Sequence, residues 1–289
     1  QKAIEDHRLR REIIATVIAN ILVNETGPSF LNRLGEEAGT GPAEVARAFV
    51  IARHVFGVTN LTSEINALDN KVDASVQVAM HISVSDMTAS QTQRLLQTSA
   101  SESISESIAR YADGVAAIAA GVNSFLSPYL KERLAERTAK LLRARVPEAL
   151  AKRVVALEFL GGALDVVKVA ADLELPVDDV TATYFAAGAR FKFDWLRAAA
   201  REVSPADHWE RIAIERLIYD LRLQQSAIAA AALHRGGKPG AACVETWSKD
   251  NPEIVERADR LTSELREAGR LTVAKLAVAT SQLRSVSDV

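Results

Sequence analysis

The sequence predicts an all-α fold: about a dozen helices with short loops, bundle-like packing and no sheet. Three observations carry this reading. Helix breakers are scarce, since Gly and Pro together supply 22 of 289 residues, below the usual combined share of about 12%. Ala supplies 49 residues, and Leu, Glu, Arg and Lys are plentiful; all of these lose little entropy in a helix. Aromatic residues make up only 5%, which disfavours strands, and no segment alternates with period two between turn residues.

The elements follow from spacing and punctuation. Ile13, Ile14, Val17, Ile18, Ile21 and Leu22 recur at helical spacing and form a wide apolar stripe, preceded by Arg8, Arg10, Arg11 and Glu12. Gly27 and Pro28 end that helix and Ser29 can cap the next. Gly41-Pro42-Ala43-Glu44 reads as N-cap, N1 proline and acidic first turn, with Val45, Phe49, Ala52 and Phe56 on one face. Ser103-Ile104-Ser105-Glu106 fits a capping box before an apolar helix ending near Gly121. Ser127-Pro128 opens a helix through Leu130, Leu134, Leu141 and Leu142. Pro147 opens another that runs to Gly161-Gly162. Ser204-Pro205-Ala206-Asp207 starts a long helix through Trp209, Ile212, Leu217, Leu221 and Leu223, ending at Gly236-Gly237. Asn251-Pro252-Glu253 starts the penultimate helix, and Leu271 to Leu283 is the last. The Ser-, Thr- and Gln-rich stretch from Ser83 to Ser107 reads as a solvated helix face or a mobile connection. A prior of roughly 150 residues per domain allows one helical region over 1–289 with sub-bundles at 1–72, 73–145 and 146–289.

Residues 30–56 and 165–191 align without gaps. Arg33 meets Lys168, Glu37 meets Asp172, Val45 meets Val180, Phe49 meets Tyr184 and Phe56 meets Phe191. Each copy reads as a short helix, a turn and a longer helix, and the simplest account is a reused hairpin whose aromatics pack inward. A helix-turn-helix DNA reader shares this outline. Its second helix would open on Glu44 in one copy and on Asp178 and Asp179 in the other, charges that repel phosphate.

Hydrophobic residues at 48% and charged residues at 25% match a globular chain. A net charge of −2 with a pI near 6.3 argues against a dedicated nucleic-acid binder. The single cysteine, Cys243, excludes an intramolecular disulfide and favours a reducing compartment. No run of 18 apolar residues predicts a membrane span, and the charged opening is unlike a signal peptide. The chain begins with Gln1 rather than Met, as expected of a piece of a larger polypeptide.

A search for chemistry finds no constellation. The glycines at 35, 39 and 41 have the wrong spacing for a dinucleotide loop and lie between helices. Gly236-Gly237-Lys238-Pro239-Gly240 has the look of a phosphate or carboxylate cradle, but its place after a long helix makes it a C-cap and loop. His7, His54, His81, His208 and His234 are scattered without metal-ligand spacing, and Cys243 lacks an activating neighbour. Glu36-Glu37 and Asp178-Asp179 fit helix-dipole complementarity better than acid–base work.

The order of motifs resembles one family. Leu9-Arg10-Arg11-Glu12-Ile13-Ile14-Ala15-Thr16, Ala19-Asn20, Val23-Asn24, Pro42-Ala43-Glu44-Val45, Val55-Phe56-Gly57 and Ala67-Leu68-Asp69-Asn70 open the match. Ala163-Leu164-Asp165-Val166-Val167, Tyr184-Phe185, Asp194-Trp195-Leu196, Val255-Glu256-Arg257 and Gly269-Arg270-Leu271 continue it. Together they resemble the C-terminal helical region of the large bacterial NAD-specific glutamate dehydrogenases. The resemblance implies a cytoplasmic parent enzyme that oxidatively deaminates L-glutamate to 2-oxoglutarate and ammonia with NAD. It also implies that the catalytic residues and the NAD loop lie upstream, so no catalytic, cofactor-binding or metal residue is assigned in this chain. The expected partners are the catalytic core of the same polypeptide and further copies in a homo-oligomer, with no nucleic acid and no membrane. Arg10, Arg11, Asn20 and Asn24 are the expected interface residues, because their polar groups flank the apolar stripe of the first helix. A stand-alone helical protein-interaction scaffold is the alternative, and a helix-turn-helix DNA-binding protein a further one.

Overall fold

A computed structural model describes residues 7–98 and 102–287. Among them the chain is all-α, with no strand. The helices are α1 (Arg10–Thr26), α2 (Pro28–Ala38), α3 (Pro42–Val55), α4 (Val58–Asn66), α5 (Ala74–Thr98), α6 (Ile104–Phe125), α7 (Pro128–Arg143) and α8 (Glu148–Ala156). A 3₁₀ segment at Leu157–Gly162 leads to α9 (Ala163–Asp172), α10 (Val177–Arg190), α11 (Phe193–Glu202), α12 (His208–His234), α13 (Ala241–Asp250), α14 (Pro252–Glu267) and α15 (Val273–Ser287). Two compact units divide the chain: Gln1–Ala119 with Glu136–Gly161, and Ala120–Ala135 with Gly162–Val289.

Most helix starts sit where the sequence punctuates them. Pro42 is at the N-terminus of α3 with Gly41 as N-cap, and Pro252 opens α14 after Asn251. The capping box is complete: the Ser103 N–H donates to Glu106 Oε2 at 2.8 Å and the Glu106 N–H donates to Ser103 Oγ at 3.2 Å. Hydrogen bonds from the Ser103 backbone and side chain hold the Glu106 carboxyl below its ordinary range. The Asp207 carboxylate caps α12 by accepting from the Glu210 N–H at 2.8 Å. Two helix ends differ from expectation. The helix after Ser103 runs past Gly121 to Phe125, and the helix after Pro147 breaks at Ala156 into the 3₁₀ segment.

The polar stretch from Ser83 also departs from expectation. As far as Thr98 it is not a mobile connection but the second half of α5, and only one side of it is a solvated face; residues 99–101 lie outside the described part. Thr88, Gln91 and Thr92 are buried beside Met80, Met87 and Leu95. The threonine hydroxyls need no distant partner, since Thr88 and Thr92 each donate to the carbonyl four residues back at 2.7 Å. A helix can therefore bury such residues without leaving donors unmet.

The echo between 30–56 and 165–191 is part of a longer structural repeat. α2, α3 and α4 start at residues 28, 42 and 58, and α9, α10 and α11 start 135 residues later. The turns agree too. Gly39 and Glu174 both adopt left-handed backbone, with φ of 63° and 54°, and close the same six-to-one bond, Thr40 N to Gly35 O and Leu175 N to Ala170 O. Gly57 and Lys192 are likewise left-handed, at 62° and 59°. The long helices α5 and α12 follow with a shift of 134, each after an aspartate, Asp73 and Asp207.

Packing inside each unit repeats as well. α3 contacts α2, α4 and α5, just as α10 contacts α9, α11 and α12. Phe49 and Phe56 in one unit, and Tyr184 and Phe191 in the other, are buried, as expected for a reused hairpin with inward aromatics. α1 lies on α3 and α5, and α13 lies on α10 and α12.

Left-handed backbone costs an L-residue about 1–2 kcal/mol, and glycine gives back about 0.5–1 kcal/mol as unfolded-chain entropy. Lys192→Gly is therefore expected to stabilise the chain by about 0.5–1 kcal/mol, and Gly57→Ala to destabilise it by a similar amount. Urea denaturation followed by circular dichroism measures both; equal signs would contradict the equivalence of the two turns.

Candidate functional site

The expected interface residues all lie on α1, and Arg10, Arg11, Asn20 and Asn24 are all exposed. At 3.6 residues per turn, Arg10, Asn20 and Asn24 share one face with Val17. Arg11 lies about 100° around from Arg10, on the side of Ile18 and Leu22. The structure thus brings three of the four together.

The apolar stripe of α1 spans about half the helix circumference rather than one core-facing strip. Leu22 alone on α1 is fully buried, in a cluster with Phe30, Leu34, Val45 and Phe49. Ile14 and Val17 remain 45% and 50% exposed. The C-terminal end of α1 is the anchored end. The Glu25 carbonyl accepts from Ser85 Oγ at 2.8 Å, and the Glu25 carboxylate pairs with Arg53.

A second polar cluster lies inside the other unit, and sequence reasoning missed it. Arg197 on α11 pairs with Asp194 one turn earlier and donates from Nη1 to Gln225 Oε1 at 2.6 Å. Gln225 on α12 in turn donates from Nε2 to the Tyr184 carbonyl of α10 at 2.7 Å. One ion pair and its bonded glutamine thereby tie three helices. Burial holds the Asp194 carboxyl above its ordinary range, against the pull of Arg197. Burial likewise lowers the Arg222 guanidinium to about 10, and Arg201 and Arg197 add to that shift. Burial raises the Tyr184 phenol.

Two glycines make room for this arrangement. A Cβ on Gly188 would lie 2.5 Å from Gln225 Nε2, and one on Gly162 would lie 2.3 Å from the Tyr184 hydroxyl oxygen. The sequence signal was the Asp194 to Arg197 spacing of three residues, which reads as a surface pair until Gly188 and Gln225 are placed over it. The cluster joins helices: Arg197 is bonded to Asp194 and Gln225, and Gln225 to the Tyr184 carbonyl, while Asp194 Oδ2 is buried without a hydrogen-bond partner among the described residues.

The remaining motifs resolve into structure. Gly236, Gly237 and Gly240 have positive φ; the first two follow the end of α12, with the Gly236 N–H donating to the Leu233 carbonyl at 2.9 Å, and Gly240 is the N-cap of α13. Gly240 N–H then donates to Thr183 Oγ1 at 2.8 Å, and the buried Cys243 thiol donates to the Gly240 carbonyl at 3.2 Å. Among the described residues no group of three or more His, Cys, Asp or Glu side chains is placed to hold a metal ion. No single helix there is long and apolar enough to cross a membrane.

A family model described as "Glutamate dehydrogenase, C-terminal" matches residues 1–285. The chain belongs to this family. Among its curated relatives, the NAD-specific glutamate dehydrogenases of Halomonas elongata and Pseudomonas aeruginosa are each 30% identical, over 98% and 99% of this chain. That of Mycobacterium tuberculosis is 27% identical over 98% of the chain. The chain spans 18% of the length of each of these relatives. Several stretches that carried the family resemblance, Tyr184-Phe185 and Asp194-Trp195-Leu196 among them, coincide with the buried cluster and its surroundings.

Removing one partner of a buried ion pair strands the other charge and costs about 3–5 kcal/mol, whereas replacing both with apolar groups is often neutral or better. Arg197→Ala is therefore expected to lower stability by about 3–5 kcal/mol, and the double variant Asp194→Leu, Arg197→Met to return it to near the wild-type value. Chemical denaturation of the three proteins measures this; a double variant as unstable as the single one would show that the pair itself is needed.

Proposed function

We propose that this chain is a non-catalytic C-terminal helical region of an NAD-dependent glutamate dehydrogenase, supporting the assembly or regulation of the catalytic part. The parent enzyme converts L-glutamate to 2-oxoglutarate and ammonia, uses NAD held by residues outside this chain, and works in the cytoplasm as a homo-oligomer. The observation that carries this reading is a pair of coverages: relatives named as NAD-specific glutamate dehydrogenases match nearly all of this chain, while the chain spans 18% of their length. The interior supports it in kind, because the buried polar groups of α10, α11 and α12 are engaged in holding helices together.

In this reading α1 is a contact with the catalytic core. Its outward side sets Arg10, Asn20 and Asn24 around exposed apolar residues, the mix of polar rim and apolar centre that protein interfaces use.

The test uses the full-length polypeptide and the 1–289 chain side by side. Full-length protein is expected to reduce NAD with L-glutamate, and the 1–289 chain to show no turnover. Arg10→Ala with Arg11→Ala in the full-length protein is expected to weaken assembly, read by analytical ultracentrifugation. Turnover by the 1–289 chain alone, or a full-length protein inert toward glutamate and NAD, would overturn the proposal.

A further inference from the structure

The two repeated units differ in what covers their long helix. In the second unit α15 lies along α12, antiparallel to it: Arg284 Nη2 reaches Asp220 Oδ2 at 3.2 Å, and Gln224 Nε2 donates to the Thr280 carbonyl at 3.0 Å. Under that cover Asp220, Gln224 and Ile228 are buried. Arg216, a turn before Asp220, stays half exposed and pairs with it.

The shift of 134 that aligns the two long helices maps this stripe onto α5. It matches the inward positions well: Met80, Met87, Gln91, Thr92 and Leu95 correspond to Ile214, Leu221, Gln225, Ser226 and Ala229, all buried. On the outward side Ile212, Arg216, Asp220, Gln224 and Ile228 correspond to Val78, Ile82, Asp86, Ser90 and Arg94. None of those five is buried. Val78 and Ile82 are 55% and 54% exposed. Where the second unit carries an arginine at its wet edge, the first carries an isoleucine. An i, i+4 apolar pair continuing into a stripe that the sister unit fills with a helix is a helix seat.

We infer that the outward stripe of α5, from Val78 to Arg94, receives an antiparallel amphipathic helix from the same polypeptide upstream of this chain. The inference rests on the reading of this chain as the C-terminal part of a longer enzyme. The family described as C-terminal and the 18% coverage of the relatives leave more than four fifths of such a polypeptide to supply the helix. The apolar residues of the incoming helix meet Val78 and Ile82.

The experiment uses the full-length protein with single cysteines at Val78→Cys, Ile82→Cys and, as an exposed reference on α14, Glu256→Cys. N-ethylmaleimide labelling is read site by site by mass spectrometry. Labelling at 78 and 82 is expected to be roughly tenfold slower or more than at 256 in the native protein, and equal to it in urea. A benzoylphenylalanine photo-cross-linker at position 82, in a mixture of isotopically light and heavy copies, is expected to join a peptide upstream of residue 1 in its own copy. Labelling at the reference rate would overturn the inference, as would cross-links to residues 1–289 of either copy or to an upstream peptide of another copy. Glutamate turnover is measured separately: its loss defeats the proposed function, while the cross-link map still decides the seat on α5.

Discussion

A long helix with neighbours on several sides must find hydrogen-bond partners for the donors it buries, and this requirement shapes both units. Unmet buried donors cost about 1–3 kcal/mol each, and the Nε2 donors of the buried glutamines of α5 and α12 are all directed at backbone carbonyls, although Gln91 Oε1 and Gln224 Oε1 are buried without a partner among the described residues. Gln91 and Gln225 occupy the same place in the repeat, and each donates from Nε2 to a backbone carbonyl, Gly161 in one unit and Tyr184 in the other. The threonines of α5 solve the problem locally, on the preceding turn of their own helix. The glutamines need tertiary partners and so fix how α5 and α12 sit on their neighbours.

That distinction explains what could be read from the sequence. Helix starts were legible because capping is local chemistry: Gly41-Pro42, Ser103 with Glu106, Asp207 and Asn251-Pro252 act within a turn of where they stand. The stretch from Ser83 to Thr98 was misread because Ser, Thr and Gln predict solvent by composition, while i−4 bonding and a glutamine-to-carbonyl contact let them be buried. The repeat was visible from 30 to 56 because its aromatics and turn spacing are kept. Its continuation was hidden by a one-residue shift between the third and fourth helices and by the replacement of Met80, Met87 and Leu95 with Ile214, Leu221 and Ala229. Those pairs keep burial, not identity.

The candidate site was less legible, for a related reason. The residues of α1 were chosen for polarity beside an apolar stripe, and the structure places Arg10, Asn20 and Asn24 on one exposed face while turning Arg11 away. Helical period alone gives that much. The cluster around Arg197 could not be found this way. An Asp and an Arg three apart normally make an exposed pair of small consequence. Only the absence of a side chain at Gly188, and a glutamine brought over from α12, convert this one into a buried tie.

The repeat shows that the position of the charge, rather than its presence, is what diverged. Gly188 is the counterpart of Arg53, and Asp194 the counterpart of Thr59. In the first unit Arg53 reaches from α3 to donate to Thr59 Oγ1 at 3.1 Å, with Glu25 of α1 as its counter-charge. In the second the guanidinium comes from α11 itself, its counter-charge is Asp194, and the position on α10 must be empty. Each unit thus carries one largely buried guanidinium at the junction of the same two helices, supplied from opposite sides. A catalytic guanidinium would have to keep its direction toward a substrate through such a divergence. One that only joins helices is free to change the helix that bears it, provided a counter-charge moves too. The exchange of Arg53 and Thr59 for Gly188 and Asp194 therefore argues that these interiors were shaped by packing.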